Sequence, residues 1–258
     1  MRVYTTEITS DKILSDNPIH QRLLKPYILM QDKVFGDLLE VGCGEGRGVE
    51  LLYDKVNSFT AIDKNKGIID KLSEKYTQGK FIASHIPPFH EIPSNSFDTV
   101  ISFQVIEHIR KDMSYLKEIY RVLKPGGNAY ITTPNIKKTL TRNPWHEREY
   151  TAIQLQELTK MVFDEVETLG IDGNEKVYEY YNRNKESVKR ITRYDVLNLQ
   201  YKLPSWLLRI PYDMLNRLNR KGLQTEADEL VASISHKDYL VSDNPDTSLD
   251  LYYILKKK

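Results

Sequence analysis

The chain has 258 residues, 40% of them hydrophobic and 28% charged, with a formal net charge of +1. That length buries a full core, one domain plus a sizeable insertion, and the composition is that of a soluble globular protein. Near-neutral charge gives no global attraction to nucleic acid, no run approaches the roughly 18 consecutive apolar residues of a membrane span, and the lone cysteine, Cys43, excludes an internal disulfide or a cysteine-based zinc cluster and suits a reducing cytoplasm.

The opening MRVYTTEITSDK lacks the apolar stretch of a secretory signal. Within the N-terminal segment 1–35, Asp16-Asn17-Pro18 reads as a cap followed by proline in the first turn of a helix. From residue 36 strand-like runs alternate with helical spacing. Strands are expected at 37–41, 59–62, 80–83, 97–103 and 128–133, with helices at 47–56, 65–76 and 112–123 between them. Lys124-Pro125-Gly126-Gly127 ends the last of these helices, because proline cannot continue it and glycine supplies the turn. A helix over 151–162, with Thr151 as its cap, and a strand over 165–171 follow; the final strand is expected at 249–255. This alternation predicts an α/β fold with a doubly wound, mostly parallel seven-stranded sheet. The core is then 36–172 and 249–258, and 173–248 is a mainly helical insertion placed before the last strand.

The first strand ends in GDLLEVGCGEG, where glycines stand at 42, 44 and 46 and again at 48. In an open parallel sheet, ligands bind beyond the carboxyl ends of the strands, and a glycine turn into a helix brings bare backbone and unpaired amides there. The spacing is not that of a phosphate-cradling loop, which needs Gly-Lys-Ser/Thr. It also misses G-x-G-x-x-G, since the third position falls on Arg47 or Val49. Glu40 lies two residues before the first glycine, and Asp63 ends the second strand, where a ribose diol is held. A carboxylate beside the loop repels pyrophosphate and suits a cation. A nucleoside with a cationic chain and no phosphates, S-adenosylmethionine, satisfies both carboxylates. The plainer alternative is that Glu40 caps loop amides and Asp63 merely ends a strand.

Four segments, LLEVGCGEG, FTAIDKN, SNSFDTVISFQVIEHI and YLKEIYRVLKPGGNAYITTPN, stand in an order and spacing that resembles the class I S-adenosylmethionine-dependent methyltransferases, the small-molecule enzymes of ubiquinone-biosynthesis type above all. The resemblance spans 36–135 and does not cover 173–248. It implies that Gly42, Cys43, Gly44 and Gly46, with Glu40 nearby, line the methionine end of the cofactor. Asp63 would bind the ribose hydroxyls, Lys64 would lie beside the adenine, and Gln104 and Val105 would flank the sulfonium. Many relatives place an acidic residue after the third strand; this chain reads FIASHIPPF there, so Ser84, His85 and Ile86 take that position. The N-terminal segment, with Arg22, would close over the cofactor.

Methyl transfer to a hydroxyl needs a base, and the histidines come first. His108, in QVIEHI, follows the fourth strand and serves either the loop's structure or catalysis. His146, in RNPWHEREYT, lies among polar and aromatic residues that suit a pocket rim (Trp145, Arg148, Tyr150) or a helix entrance. No set of metal ligands is evident. Residues 174–222 hold eleven Lys/Arg against five Asp/Glu, a local +6, and as a lid they would favour an anionic acceptor such as an acidic sugar, or simply form a solvated face. In PSWLLRIPYDMLNRLNRKG the apolar spacing suits packing or a homodimer contact, or a helix seeking a lipid surface, with Pro211 interrupting it. The rival functions are an RNA-modifying methyltransferase, a NAD-linked dehydrogenase and a non-catalytic nucleoside-binding protein.

Overall fold

The computed structural model describes residues 13–258. The stretch read for a secretory signal, and the first twelve residues of the 1–35 segment, lie outside the described residues. Among the described residues, β1 (Asp37–Val41), β2 (Ser58–Asp63), β3 (Lys80–Ala83), β4 (Phe97–Phe103), β5 (Leu123–Pro134), β6 (Glu165–Gly173), β7 (Tyr239–Ser242) and β8 (Asp250–Lys256) form one sheet in the order β3-β2-β1-β4-β5-β8-β6-β7. The pairs from β3 through β5 are parallel, while β8 runs antiparallel to both of its neighbours, β5 and β6. The strand order reverses between β1 and β4, which places a ligand-binding crevice beyond their carboxyl ends.

The sheet has eight strands where seven were expected. The additional one, β7, lies inside the 173–248 insertion and pairs antiparallel with β6 at the edge. Four residues are too few for an alternation to register in sequence, and the edge position leaves Leu240 and Val241 exposed.

The helices are α1 (Asn17–Met30), α2 (Arg47–Leu52), α3 (Lys66–Lys75), α4 (Asp112–Val122), α5 (Ala152–Lys160), α6 (Glu175–Thr192), α7 (Leu199–Lys202), α8 (Ser205–Glu226) and α9 (Asp228–Ser233). Neighbouring residues of a strand point to opposite faces, and Leu38 and Leu39 accordingly enter different cores. Leu39 joins Tyr115, Leu116 and Ile119 of α4 and Leu155 of α5. Leu38 joins Tyr27 and Met30 of α1, Val49 and Leu52 of α2, and residues of α3, α6, α8 and α9. Helices thus cover both faces, as the crossover pattern requires.

Thr151 caps α5 through a reciprocal capping box with Gln154. The other expected cap differs. Pro18 does stand in the first turn of α1, but the Asp16 side chain makes no capping bond. It is fully buried and accepts from Arg217 and Arg220 of α8 at 3.0–3.1 Å. Two guanidiniums offer a buried carboxylate more than backbone amides do. Pro211 does not break α8, which runs through it to Glu226.

Candidate active site

Beyond β1 the chain turns through Gly42, Cys43, Gly44 and Gly46 into α2. Gly44 adopts φ +50° with nothing within 4 Å of where a side chain would begin, so it presents bare backbone to open space. Gly42 is bare for another reason: a side chain there would meet Val105 Cγ2 at 2.4 Å. The loops after β1 and β4 therefore pack directly on each other. Gly48 lies over Glu40, whose carboxylate would meet an added carbon at 2.3 Å.

The two carboxylates of the loop differ in their surroundings. Asp63 is partly exposed at the tip of β2, and its oxygens accept from the amides of Gly44 at 3.0 Å and Asn65 at 2.8 Å. It holds the glycine turn open and keeps lone pairs for a ligand. Glu40 is buried beneath the first turn of α2, and neither of its oxygens has a hydrogen-bond partner of good geometry among the described residues. Burial pushes it up to about 8, with the Tyr27 hydroxyl and the Arg47 charge opposing and Asp63 adding. Burial also pushes the Cys43 thiol up, with Glu40 and Asp63 adding to it, which leaves this cysteine unreactive. A bare amide ridge, an acid at the strand tip and an orphaned buried carboxylate fit a nucleoside carrying a positive charge.

Lys64 and His85 are exposed, and Ser84 and Ile86 are half-buried. The Ser84 amide donates to the Asp63 carbonyl at 3.0 Å, which brings the end of β3 beside the end of β2. Gln104 has φ +58°, a left-handed conformation that costs a side-chain-bearing residue on the order of 1 kcal/mol. Its amide donates to the Thr132 carbonyl at 2.9 Å.

Gln104 also borders a cavity of about 280 Å³ beyond β4 and β5, walled by α1, α6 and α8. Glu107, His108 and His146 stand together in its lining. The His108 and His146 rings meet edge to face, with centroids 4.9 Å apart. The loop holding His146 is tied to the end of β4 by the amides of Glu147 and Arg148, which donate to the Glu107 carbonyl at 2.7 and 3.2 Å. Hydrogen bonding fixes the His146 tautomer. Asn143 Oδ1 accepts from the Trp145 amide at 3.0 Å, so its Nδ2 donates to His146 Nε2 at 2.8 Å. His146 Nδ1 then carries the proton and donates to Glu149 Oε1 at 2.6 Å. Thr139 holds the other Glu149 oxygen. His108 Nδ1 donates to the Trp145 carbonyl at 3.0 Å. Burial raises the Glu107 carboxyl, opposed by the two neighbouring histidines, and Thr133 Oγ1 donates to it at 2.9 Å.

Glu107, His108 and His146 each offer a ligand atom within 4.8 Å of the others, a grouping with metal-binding geometry that sequence spacing concealed. Both His146 nitrogens, however, are engaged by Glu149 and Asn143.

Of the residues expected over the cofactor or at the pocket rim, Arg22 lines the cavity, with its guanidinium bound to Asp250 and to the Leu249 carbonyl at 2.8 Å. Trp145, Arg148 and Tyr150 turn elsewhere. Trp145 Nε1 donates to Asp213 at 3.3 Å and its ring lies under Arg209, while Arg148 and Tyr150 both bind Asp112. Sequence reasoning missed Glu149 and the tyrosines of α6. Glu149 carried a signal, since it stands three residues after His146 in one loop.

Residues 39–131 match the family described as "Methyltransferase domain". The chain is 34% identical over 141 residues to a probable S-adenosylmethionine-dependent methyltransferase of Mycolicibacterium smegmatis, covering 52% of this chain and 54% of that protein. It is 27% identical over 126 residues to a ubiquinone biosynthesis O-methyltransferase of Vibrio cholerae, covering 46% of this chain and 51% of that protein. The chain thus spans about half the length of these curated relatives. A solved structure from Thermotoga maritima, described as an S-adenosylmethionine-dependent methyltransferase and a possible histamine N-methyltransferase, superimposes with TM-score 0.58 at 14% identity, covering 95% of this chain and 91% of that one. At that identity the likeness shows the fold.

Proposed function

We propose that this chain, which belongs to the class I S-adenosylmethionine-dependent methyltransferase family, moves a methyl group onto a hydroxyl of a small molecule held in the cavity beyond β4 and β5. The observation that carries this reading is the adjacency of two differently built spaces. The bare, acid-flanked glycine turn meets the histidine-lined cavity at Gln104 and Val105.

When bound, S-adenosylmethionine supplies a methyl on a positively charged sulfur. Gly42, Cys43, Gly44 and Gly46 would hold its methionine end and Asp63 its ribose. Glu40 stiffens the turn from beneath Gly48, and Ser84, His85 and Ile86 are left for the base. The protein's remaining tasks are orientation, exclusion of water and removal of the hydroxyl proton. His146 is built for the last. Glu149 holds its Nδ1 proton, so the Nε2 lone pair accepts the acceptor's proton once the hydroxyl replaces Asn143, and the charge that forms is balanced by Glu149. His108, fixed by the Trp145 carbonyl, orients the ring beside it.

The lining also narrows the acceptor. Among the described residues, Arg220 is the one Lys/Arg of the basic 174–222 stretch that borders the cavity, and Asp16 neutralises it. Asp250 does the same for Arg22. A third cation of the lining, Lys138, donates to the Tyr178 hydroxyl at 3.0 Å, and the lining also carries the carboxyl groups of Glu107 and Glu149. Much of the rest is tyrosine and asparagine: Tyr180, Tyr181, Tyr212, Asn135, Asn184 and Asn216. These suit a polar, hydroxyl-rich molecule better than a strongly anionic one, and α6 and α8 serve as its enclosing wall.

Transfer of radiolabelled methyl to a panel of hydroxylated small molecules tests this. The His146→Ala variant is expected to lose about 10²- to 10⁴-fold in turnover with unchanged affinity for S-adenosylhomocysteine. Full activity in that variant would contradict the base assignment. Because both His146 nitrogens have protein partners, activity should also survive chelators; loss on chelation and recovery with a divalent cation would instead make Glu107, His108 and His146 metal ligands.

A further inference from the structure

Helix α8 is amphipathic with its faces reversed. Asp213, Asn219 and Arg220 are buried, at 6–8% exposure, whereas Trp206, Ile210, Met214 and Leu218 are 61–70% exposed. The four apolar residues recur every fourth position and so form a single ridge along the helix. The connection between α6 and α8 continues the apolar surface with Tyr194, Val196, Leu197 and Tyr201, which are 63–82% exposed. Scattered exposed hydrophobics are ordinary, but a contiguous ridge on the outside of a helix marks a surface that is covered in use.

The charges around the ridge say what covers it. Between residues 188 and 222 every exposed charged residue is basic: Lys189, Arg190, Arg193, Lys202 and Lys221. The two acids of that stretch, Asp195 and Asp213, are withdrawn, Asp195 accepting from the amides of Leu199 and Gln200 and Asp213 lying buried against Trp145. A two-fold contact between copies sets a patch against itself and would oppose this cationic rim to its own image. A negative, laterally extended apolar phase suits it better. Tryptophan and tyrosine, with one apolar body and one polar atom, also favour the boundary between water and lipid.

We propose that the outer face of α8 and the α6–α8 connection seat this protein on the surface of an anionic lipid bilayer. No helix among the described residues is long and apolar enough to cross a membrane, so the contact is interfacial. The ridge enters the acyl boundary and the five cations meet lipid headgroups. The opposite side of the same helix contributes Tyr212, Asn216 and Arg220 to the acceptor cavity. Docking would thus leave α8 as the partition between membrane and cavity, and it stands whether or not the transfer chemistry proposed above is correct.

The test is sedimentation of the full chain with vesicles of phosphatidylcholine alone and of phosphatidylcholine mixed with phosphatidylglycerol. The expected result is retention on the mixed vesicles, at least tenfold weaker retention on the neutral ones, and a blue shift of fluorescence that the Trp206→Phe variant lacks. Ile210→Ser with Met214→Ser should lower retention at least tenfold. Both positions are exposed, so the fold and the affinity for S-adenosylhomocysteine should persist. Arg193→Glu with Lys202→Glu should weaken binding to the anionic vesicles alone. Three results would overturn the proposal: no retention on either vesicle, equal retention of the serine variant, or a dimer in sedimentation velocity that the serine substitutions dissolve.

Discussion

Glu40 and Gly48 form one device. The glycine is small because a buried carboxylate fills the space where its side chain would be, and Gly48→Ala should cost about 1–3 kcal/mol in urea unfolding for that overpacking. The carboxylate itself makes stability depend on pH. Its folded value of about 8 lies above the unfolded 4.5, so the folded state binds more protons between those limits. The stability that this group supports is fully present below 4.5 and is lost as pH rises to about 8. Glu40→Gln should flatten that decline, by an amount on the order of a few kcal/mol, in unfolding curves recorded at pH 5 and pH 8 without ligand. At this scale sequence was half informative. The residue types of the turn and Asp63 were legible because bare backbone beside an acid has few uses. Whether each glycine serves a ligand or a neighbour was not, since Val105 and Glu40 reach Gly42 and Gly48 only through the fold.

At the scale of elements, α1 and α8 are joined by a buried ion pair rather than by apolar contact alone. Asp16→Ala would remove the buried carboxylate that Arg217 and Arg220 share, and should destabilise the chain by about 3–5 kcal/mol in urea, well beyond the loss of a helix cap. A loss of about 1 kcal/mol would mean that this shared carboxylate contributes no more than an ordinary cap. The sequence displayed the proline of α1 and the apolar spacing of α8. It could not show that Asp16 faces arginines some two hundred residues away, or that α8 turns its polar side inward. Periodicity reports that a stripe exists, and tertiary packing decides which side is buried. Strand β7 escaped for the opposite reason: its pairing with β6 is nonlocal and its four residues carry no period.

At the scale of the molecule, the parallel part of the sheet was the most legible feature. Strands buried on both faces, such as β1 and β4, read as near-continuous apolar runs, and these two, like the short edge strand β3, begin and end at the expected residues. The topology brings the ends of β1, β2 and β4 to one crevice and sets the β5–α5 connection and the 173–248 insertion around the neighbouring cavity. Under the proposed function, chemistry would be divided between a cradle for the nucleoside and a cavity that supplies the base. Calorimetric titration of S-adenosylhomocysteine into the wild-type chain and Asp63→Ala tests that division most directly. The account predicts one site in the wild type and affinity at least about tenfold lower in the variant, the loss expected for hydrogen bonds to a charged group. Equal affinity in the two proteins, or binding of NAD in place of the homocysteine nucleoside, would contradict it.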